Sequence, residues 1–180
     1  MKTIKVNDKE FELFISSEKI QNSIQMMAEK INADAADKKP LFIVILNGAF
    51  VFAADLIKNI TIPCEVTFIK LSSYSGTQST HVVREMIGLD VSLSNRYVIV
   101  VEDIIDTGIT MEYITNQLKK LDAREVKVAT LLLKPHALKR EVTIDYAGLE
   151  IPNDFIVGYG LDYDGFGRNY PDIYKIVETS

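Results

Sequence analysis

The chain has 180 residues, 47% of them hydrophobic and 25% charged, with a formal net charge of -5. Such a balance suits one globular domain with a sizeable core and excludes a long disordered or low-complexity tract. It gives no general attraction to nucleic acid or anionic lipid, and the single cysteine, Cys64, excludes an internal disulfide framework.

Residues 1–13 alternate charged and apolar side chains, so the start of the chain does not read as a signal peptide and a cytoplasmic protein with no membrane partner is expected. Alternation at 3–6 and 10–14 around Asn7-Asp8 predicts a hairpin. Ser16 and Ser17 offer an N-cap to a helix that carries Ile20, Ile24, Met27 and Ile31 at helical spacing, up to Lys38-Lys39-Pro40. The run LFIVIL at 41–46 predicts a strand buried on both faces, and it is too short to cross a bilayer. Asn47-Gly48 breaks it, a helix is expected over 49–58, and a second strand over 65–71. Residues 72–81 (SSYSGTQSTH) are small and polar and read as a flexible loop. YVIVV at 97–101 is another buried strand that stops at Glu102-Asp103; a helix with Met111, Ile114, Leu118 and Leu121 follows, then a strand over 126–133. Short strands broken by Gly158, Gly160, Gly165 and Gly167 fill 144–176. Strands alternating with helices predict an α/β fold, a Rossmann-like parallel sheet flanked by helices. The first and last segments are expected to pair as a small hood lobe. With neither repeat nor linker, residues 1–180 read as a single domain.

The chemistry is concentrated in VIVVEDIIDTGIT at 98–110. A hydrophobic strand meets two carboxylates, and Asp106-Thr107-Gly108-Ile109-Thr110 then turns into a helix. The first N–H groups of such a helix lack intrahelical partners and carry the positive end of its dipole. Glycine lets the backbone approach a ligand, and the threonines add hydroxyl donors. Together these suit a phosphate group. The adjacent acids can accept sugar hydroxyls or help hold a divalent cation. An acidic strand end and a helix cap would account for DTG alone; the whole string favours phosphate. Neither G-x-x-x-x-G-K-[ST] nor G-x-G-x-x-G after a strand is present, which excludes the two commonest nucleotide fingerprints.

VVEDIIDTGIT resembles the phosphoribosyl diphosphate signature of type I phosphoribosyltransferases, and EDIIDTG resembles their hypoxanthine-guanine branch. The likeness extends in order through LNGAF at 46–50, SSYSG at 72–76, LLLKP at 131–135 and IPNDFIVGYGLDY at 151–163. It implies the type I phosphoribosyltransferase fold and transfer of the phosphoribosyl group to hypoxanthine and guanine, with Mg2+ as cofactor and a homodimer or homotetramer as the assembly. It assigns the 5-phosphate to Asp106, Thr107, Gly108, Ile109 and Thr110, with Asp106 also the general base. Glu102 and Asp103 go to the ribose, and with Asp162 to the metal. Lys134, Phe155, Ile156 and Asp162 go to the purine; Leu46, Asn47, Gly48 and Arg168 go to pyrophosphate, with a cis Leu46-Asn47 peptide in the liganded enzyme. Ser73 and Tyr74 fall on a mobile loop that closes over the site. Taken singly, Asp106 reads as a helix cap, Lys134 as a solvated lysine and Phe155 as a core aromatic; family order is what gives them roles. The chain departs from the family at Asn47, where many relatives carry a basic residue. A sensor of phosphoribosyl diphosphate without catalysis, or a transferase preferring xanthine or a pyrimidine, are the alternative readings.

Overall fold

A strand that is apolar at every position needs cover on both faces, and this requirement organises the molecule. The computed structural model describes residues 2–74 and 83–177, with the backbone alone at 72–74 and 83–87. In chain order the elements are β1 (Thr3–Val6), β2 (Lys9–Ile15), α1 (Ser17–Asp34), β3 (Leu41–Leu46), α2 (Phe50–Lys58), β4 (Glu65–Tyr74), β5 (Val83–Ile87), β6 (Tyr97–Ile105), α3 (Ile109–Lys120), β7 (Glu125–Leu133), β8 (Tyr146–Glu150), β9 (Ile156–Val157) and β10 (Ile173–Ile176). One sheet has the order β5-β4-β3-β6-β7-β8, in which β4, β3, β6, β7 and β8 are parallel and β5 is an antiparallel edge.

Alternation along β3 and β6 divides their side chains between two cores. Phe42, Val44, Ile99 and Val101 pack with Ile20, Ile24 and Ile31 of α1 and Phe52 and Leu56 of α2. Leu41, Ile43, Ile45, Val98 and Val100 pack with Met111, Ile114 and Leu118 of α3 on the opposite face. After β3 the chain goes through α2 to β4 on one side; after β6 it goes through α3 to β7 on the other. The connections from β3 and β6 therefore diverge, and the carboxyl ends of these two neighbours form the switch point where parallel α/β sheets bind ligands.

Three expectations need correction. Strand β6 does not stop at the acids: Glu102 pairs with Thr130, Ile104 with Leu132 and Ile105 with Leu133. Its other neighbour, β3, pairs with it only as far as Val101, so the acids stand on a strand supported from one side. Leu121 caps the end of α3 instead of riding its buried face, and it is 48% exposed. Strand β4 continues to Tyr74, because β5 supplies an antiparallel partner that the sequence reading lacked; Ser73 faces Arg84 and Tyr74 faces Val83 in the ladder. The rest of the expected loop, 75–82, lies outside the described residues.

The hood is a four-stranded antiparallel sheet, β1-β2-β10-β9, closed around Val6, Phe11, Val157 and Tyr174. It draws on both termini, as expected. Ser16 caps α1 by accepting from the Lys19 N–H at 3.3 Å. No helix among the described residues is long and apolar enough to cross a membrane.

Candidate active site

The β6–α3 turn is built for an open helix end. Gly108 stands at the N-cap of α3 with φ 77°, and it makes no side-chain cap hydrogen bond. A left-handed conformation costs an L-residue about 1–2 kcal/mol, which is why glycine fits there. A cleft of about 180 Å³ opens at this point, lined by Glu102, Asp106, Thr107, Gly108 and Thr110 among others. The turn is braced from behind by the segment after β7: the Lys139 N–H donates to the Thr107 carbonyl at 2.9 Å. Ile109, the first helical residue, is 39% exposed.

Asp106 is not the helix cap. Its Oδ2 lies 3.3 Å from Lys134 Nζ. The Lys134 side chain is 10% exposed and that of Asp106 47%. Lys134 is thus buried, where a lysine at a strand end is ordinarily solvated, and its backbone N–H is fixed to the Ile105 carbonyl at 3.0 Å. Parallel pairing of Ile105 with Leu133 brings the two side chains to the same carboxyl edge of the sheet.

Behind this pair stand the two acids. Asp103 Oδ1 accepts from the Ile104 N–H at 2.8 Å, and Glu102 Oε1 accepts from the Asp103 N–H at 3.2 Å. Burial pushes both carboxyls above their ordinary values, Glu102 well above, and the Asp103 charge adds to the rise of Glu102. Nearby Arg168 works against the rise at Asp103. Gly48 presses so closely on the Asp103 carboxylate that any side chain there would collide with it. This turn after β3 contains a cis Leu46-Asn47 peptide, the bond that the family resemblance implied for the liganded enzyme.

The hood supplies the remaining candidates. Phe155 precedes β9 and is 46% exposed, so it is not a core aromatic; its ring meets Tyr163 edge-on at 5.7 Å. Ile156 is buried, and its backbone belongs to the β9–β10 ladder. Arg168 Nη2 is 2.7 Å from Asp162 Oδ1, and Arg168 Nη1 donates to the Gly160 carbonyl at 2.6 Å. Asp162 Oδ2 accepts from the Gly165 N–H at 2.7 Å. Gly160 in turn abuts the Gly48 carbonyl. The structure therefore joins Asp103, the 46–48 turn, Gly160, Arg168 and Asp162 in one continuous chain of contacts. It does not gather Glu102, Asp103 and Asp162 into a carboxylate cage: no group of three or more potential metal ligands occurs among the described residues.

Sequence reasoning missed the supports. Asp172, Asp55 and Tyr159 are all held by hydrogen bonds to segments distant in the chain. Their only sequence signal is local: Tyr159 sits between two glycines and Asp172 follows Pro171.

The model of the phosphoribosyl transferase domain matches residues 16–164. The chain is 39% identical over 162 residues to the hypoxanthine-guanine phosphoribosyltransferase of Bacillus subtilis, covering 89% of this chain and 90% of that one. It is 40% identical over 167 residues to the enzyme of the same name from Streptococcus thermophilus, covering 92% and 93%. A crystal structure of a hypoxanthine-guanine phosphoribosyltransferase from Bacillus anthracis superposes with a TM-score of 0.84 at 36% identity, over 92% of this chain and 97% of that one. With the fold, the switch-point cleft and these likenesses in agreement, the chain belongs to the phosphoribosyltransferase family.

Proposed function

We propose that this chain, as a single phosphoribosyltransferase domain over 1–180, transfers the 5-phosphoribosyl group from phosphoribosyl diphosphate to hypoxanthine and guanine and releases pyrophosphate. The observation that carries the reading is the Asp106–Lys134 pair, 3.3 Å apart, mounted beside the uncapped start of α3. Main-chain donors of 106–110, with the Thr107 and Thr110 hydroxyls, bind the 5-phosphate. Glu102 and Asp103 accept the ribose hydroxyls. The main chain at Leu46, Asn47 and Gly48, with Arg168, receives pyrophosphate. Phe155 offers an exposed ring face for stacking, and the Ile156 backbone reads the purine edge beside Asp162.

In the reaction the C1–oxygen bond to pyrophosphate breaks and a C1–nitrogen bond to the purine forms. The ring proton displaced from the base passes to the Asp106 carboxylate. Lys134 offers donors only, so it matches a 6-oxo group and opposes a 6-amino group. Burial strengthens that preference, because the ammonium hydrogens not directed at Asp106 need a further acceptor where little water reaches them. Magnesium fits the donor set: Glu102 and Asp103 are hard oxygen ligands whose charge burial disfavours, and two carboxylates leave the remaining positions to substrate oxygens and water. Bound there, magnesium would neutralise charge on the departing pyrophosphate. On the same reading the protein is cytoplasmic and self-associates as a homodimer or homotetramer, which sedimentation velocity would resolve.

The test is direct. Purified protein with magnesium and phosphoribosyl diphosphate is offered hypoxanthine, guanine, xanthine and adenine in turn, and nucleotide formation is followed. Hypoxanthine and guanine are converted and adenine is not. Efficient use of adenine, or of xanthine alone, would overturn the proposed base selection.

A further inference from the structure

Tyr159 takes no part in the chemistry above, yet it is one of the most constrained side chains near it. It is 4% exposed and adopts φ 50°, a left-handed conformation uncommon for a bulky residue. Its hydroxyl donates to Asp55 Oδ2 at 2.5 Å. Gln21 Nε2 donates to the same Asp55 oxygen at 2.8 Å and reaches the Tyr159 hydroxyl at 3.3 Å. Lys58 Nζ occupies the other oxygen, Asp55 Oδ1, at 2.8 Å. Burial pushes the Asp55 carboxyl up, but the bonds from Lys58, Tyr159 and Gln21 outweigh it and hold it below its ordinary value. Asp55 is therefore a charged acceptor, the kind that makes the stronger hydrogen bonds.

What matters is where the two ends of this bond lead. Asp55 belongs to α2, the helix that begins directly after the 46–48 turn. The Tyr159 N–H is fixed to the Tyr170 carbonyl at 2.8 Å, and the Gly160 N–H to the Arg168 carbonyl at 3.0 Å. Gly160 carries the carbonyl that Arg168 Nη1 grips, and it packs against the Gly48 carbonyl with no room for a side chain. One residue thus ties its side chain to α2 while its neighbour's backbone braces both the turn after β3 and Arg168.

We infer that Tyr159, Asp55 and Gln21 form a positioning clamp that fixes the 158–168 strap to α2 and thereby sets the pyrophosphate end of the site. The inference rests on the proposed assignment of the 46–48 turn and Arg168 to pyrophosphate. Without a basic residue at 47, that end depends on main-chain donors and one arginine, so their placement governs affinity for the diphosphate. Of the residues proposed for the base and the 5-phosphate, Lys134, Phe155, Ile156 and the β6–α3 turn lie outside the strap, and Asp162 alone lies on it.

The experiment compares the wild-type enzyme with Tyr159→Phe, Asp55→Ala and the double variant. Tyr159→Phe keeps the ring and removes only the hydroxyl. KM for phosphoribosyl diphosphate, and for pyrophosphate in the reverse reaction, rises roughly tenfold, the size of a lost bond to a charged acceptor. KM for hypoxanthine and Kd for inosine monophosphate rise by much less, since Asp162 alone of their proposed contacts lies on the strap. The double variant is no worse than the worse single, as expected for two ends of one interaction. Unaltered KM for phosphoribosyl diphosphate, an equal rise in every constant, additive effects, or loss of cooperative unfolding in either single variant would each overturn the clamp. A wild-type enzyme that does not use phosphoribosyl diphosphate would instead overturn the site assignment beneath it.

Discussion

On the proposed reading Asp106 and Lys134, 3.3 Å apart, divide one task between an acceptor and a donor. The lysine side chain is buried and the carboxylate half-exposed; in the proposed reaction a base would present a ring proton to Asp106 and an oxo group to Lys134. The carboxylate is the part that chemistry needs, because an amide cannot take up the proton. Asp106→Asn is therefore expected to lower kcat by about 10²–10⁴-fold, the range of general base catalysis. Binding of inosine monophosphate, measured by calorimetry, changes far less, since the main chain proposed to hold the phosphate is left in place by the substitution. Comparable losses in turnover and in nucleotide affinity would make Asp106 a structural residue. At this scale the sequence was legible where a side chain's role is local. It was silent on burial: nothing in LLLKP distinguishes the buried Lys134 from a solvated lysine at a strand end.

The β6–α3 connection is the element on which the site is hung. Its strand was legible from VIVV, and its helix from Met111, Ile114 and Leu118, but the junction was misplaced. Two acids look like the end of a strand when read alone; here they continue the ladder because β7 pairs through Ile105 while β3 has already turned away. Register between neighbours is a tertiary fact, and a single strand's pattern does not carry it. The same reason hid β5, whose partner β4 was expected to end before their ladder does. The turn itself makes a sharp prediction. At Gly108 a Cβ would approach Val142 Cγ2 to 3.1 Å and the Arg140 carbonyl to 3.3 Å, on a backbone already at φ 77°. Gly108→Ala should cost about 1–2 kcal/mol of stability from the left-handed conformation alone. It should also weaken inosine monophosphate binding while KM for hypoxanthine holds, because the strain is relieved by moving the donors of the turn. Chemical denaturation and nucleotide titration on the same preparation separate the two effects; unchanged nucleotide affinity would mean the turn does not grip the phosphate.

For the molecule as a whole, the question is what holds a small hood sheet in register with the larger parallel sheet. Part of the answer is Asp172, just before β10 and 6% exposed. Its carboxylate accepts from Lys2 Nζ at 2.6 Å, the Ser17 N–H at 2.8 Å and the Tyr174 hydroxyl at 3.2 Å. One side chain thus joins the N-terminal strand region, the start of α1 and the last strand, and its negative charge sits favourably at the positive end of α1. The bond from Lys2, then that from the Ser17 N–H, hold the Asp172 carboxyl below its ordinary value despite burial. A depressed folded-state value means the contribution is fully present above the unfolded carboxyl's value of about 3.9, and is lost as pH falls through the folded value. Asp172→Asn, which keeps an acceptor but removes the charge, should cost about 1–2 kcal/mol at neutral pH. The gap between wild type and variant in denaturant midpoint should narrow as pH drops below about 4, because protonation makes the wild-type carboxyl as neutral as the amide. A gap that stays constant from neutral to acid pH would show that shape, not charge, joins the hood to the body. The strap with Tyr159, Asp162 and Arg168 lies between β9 and β10, so a hood loosened at Asp172 should weaken binding at the proposed pyrophosphate end before it disturbs the turn at Gly108.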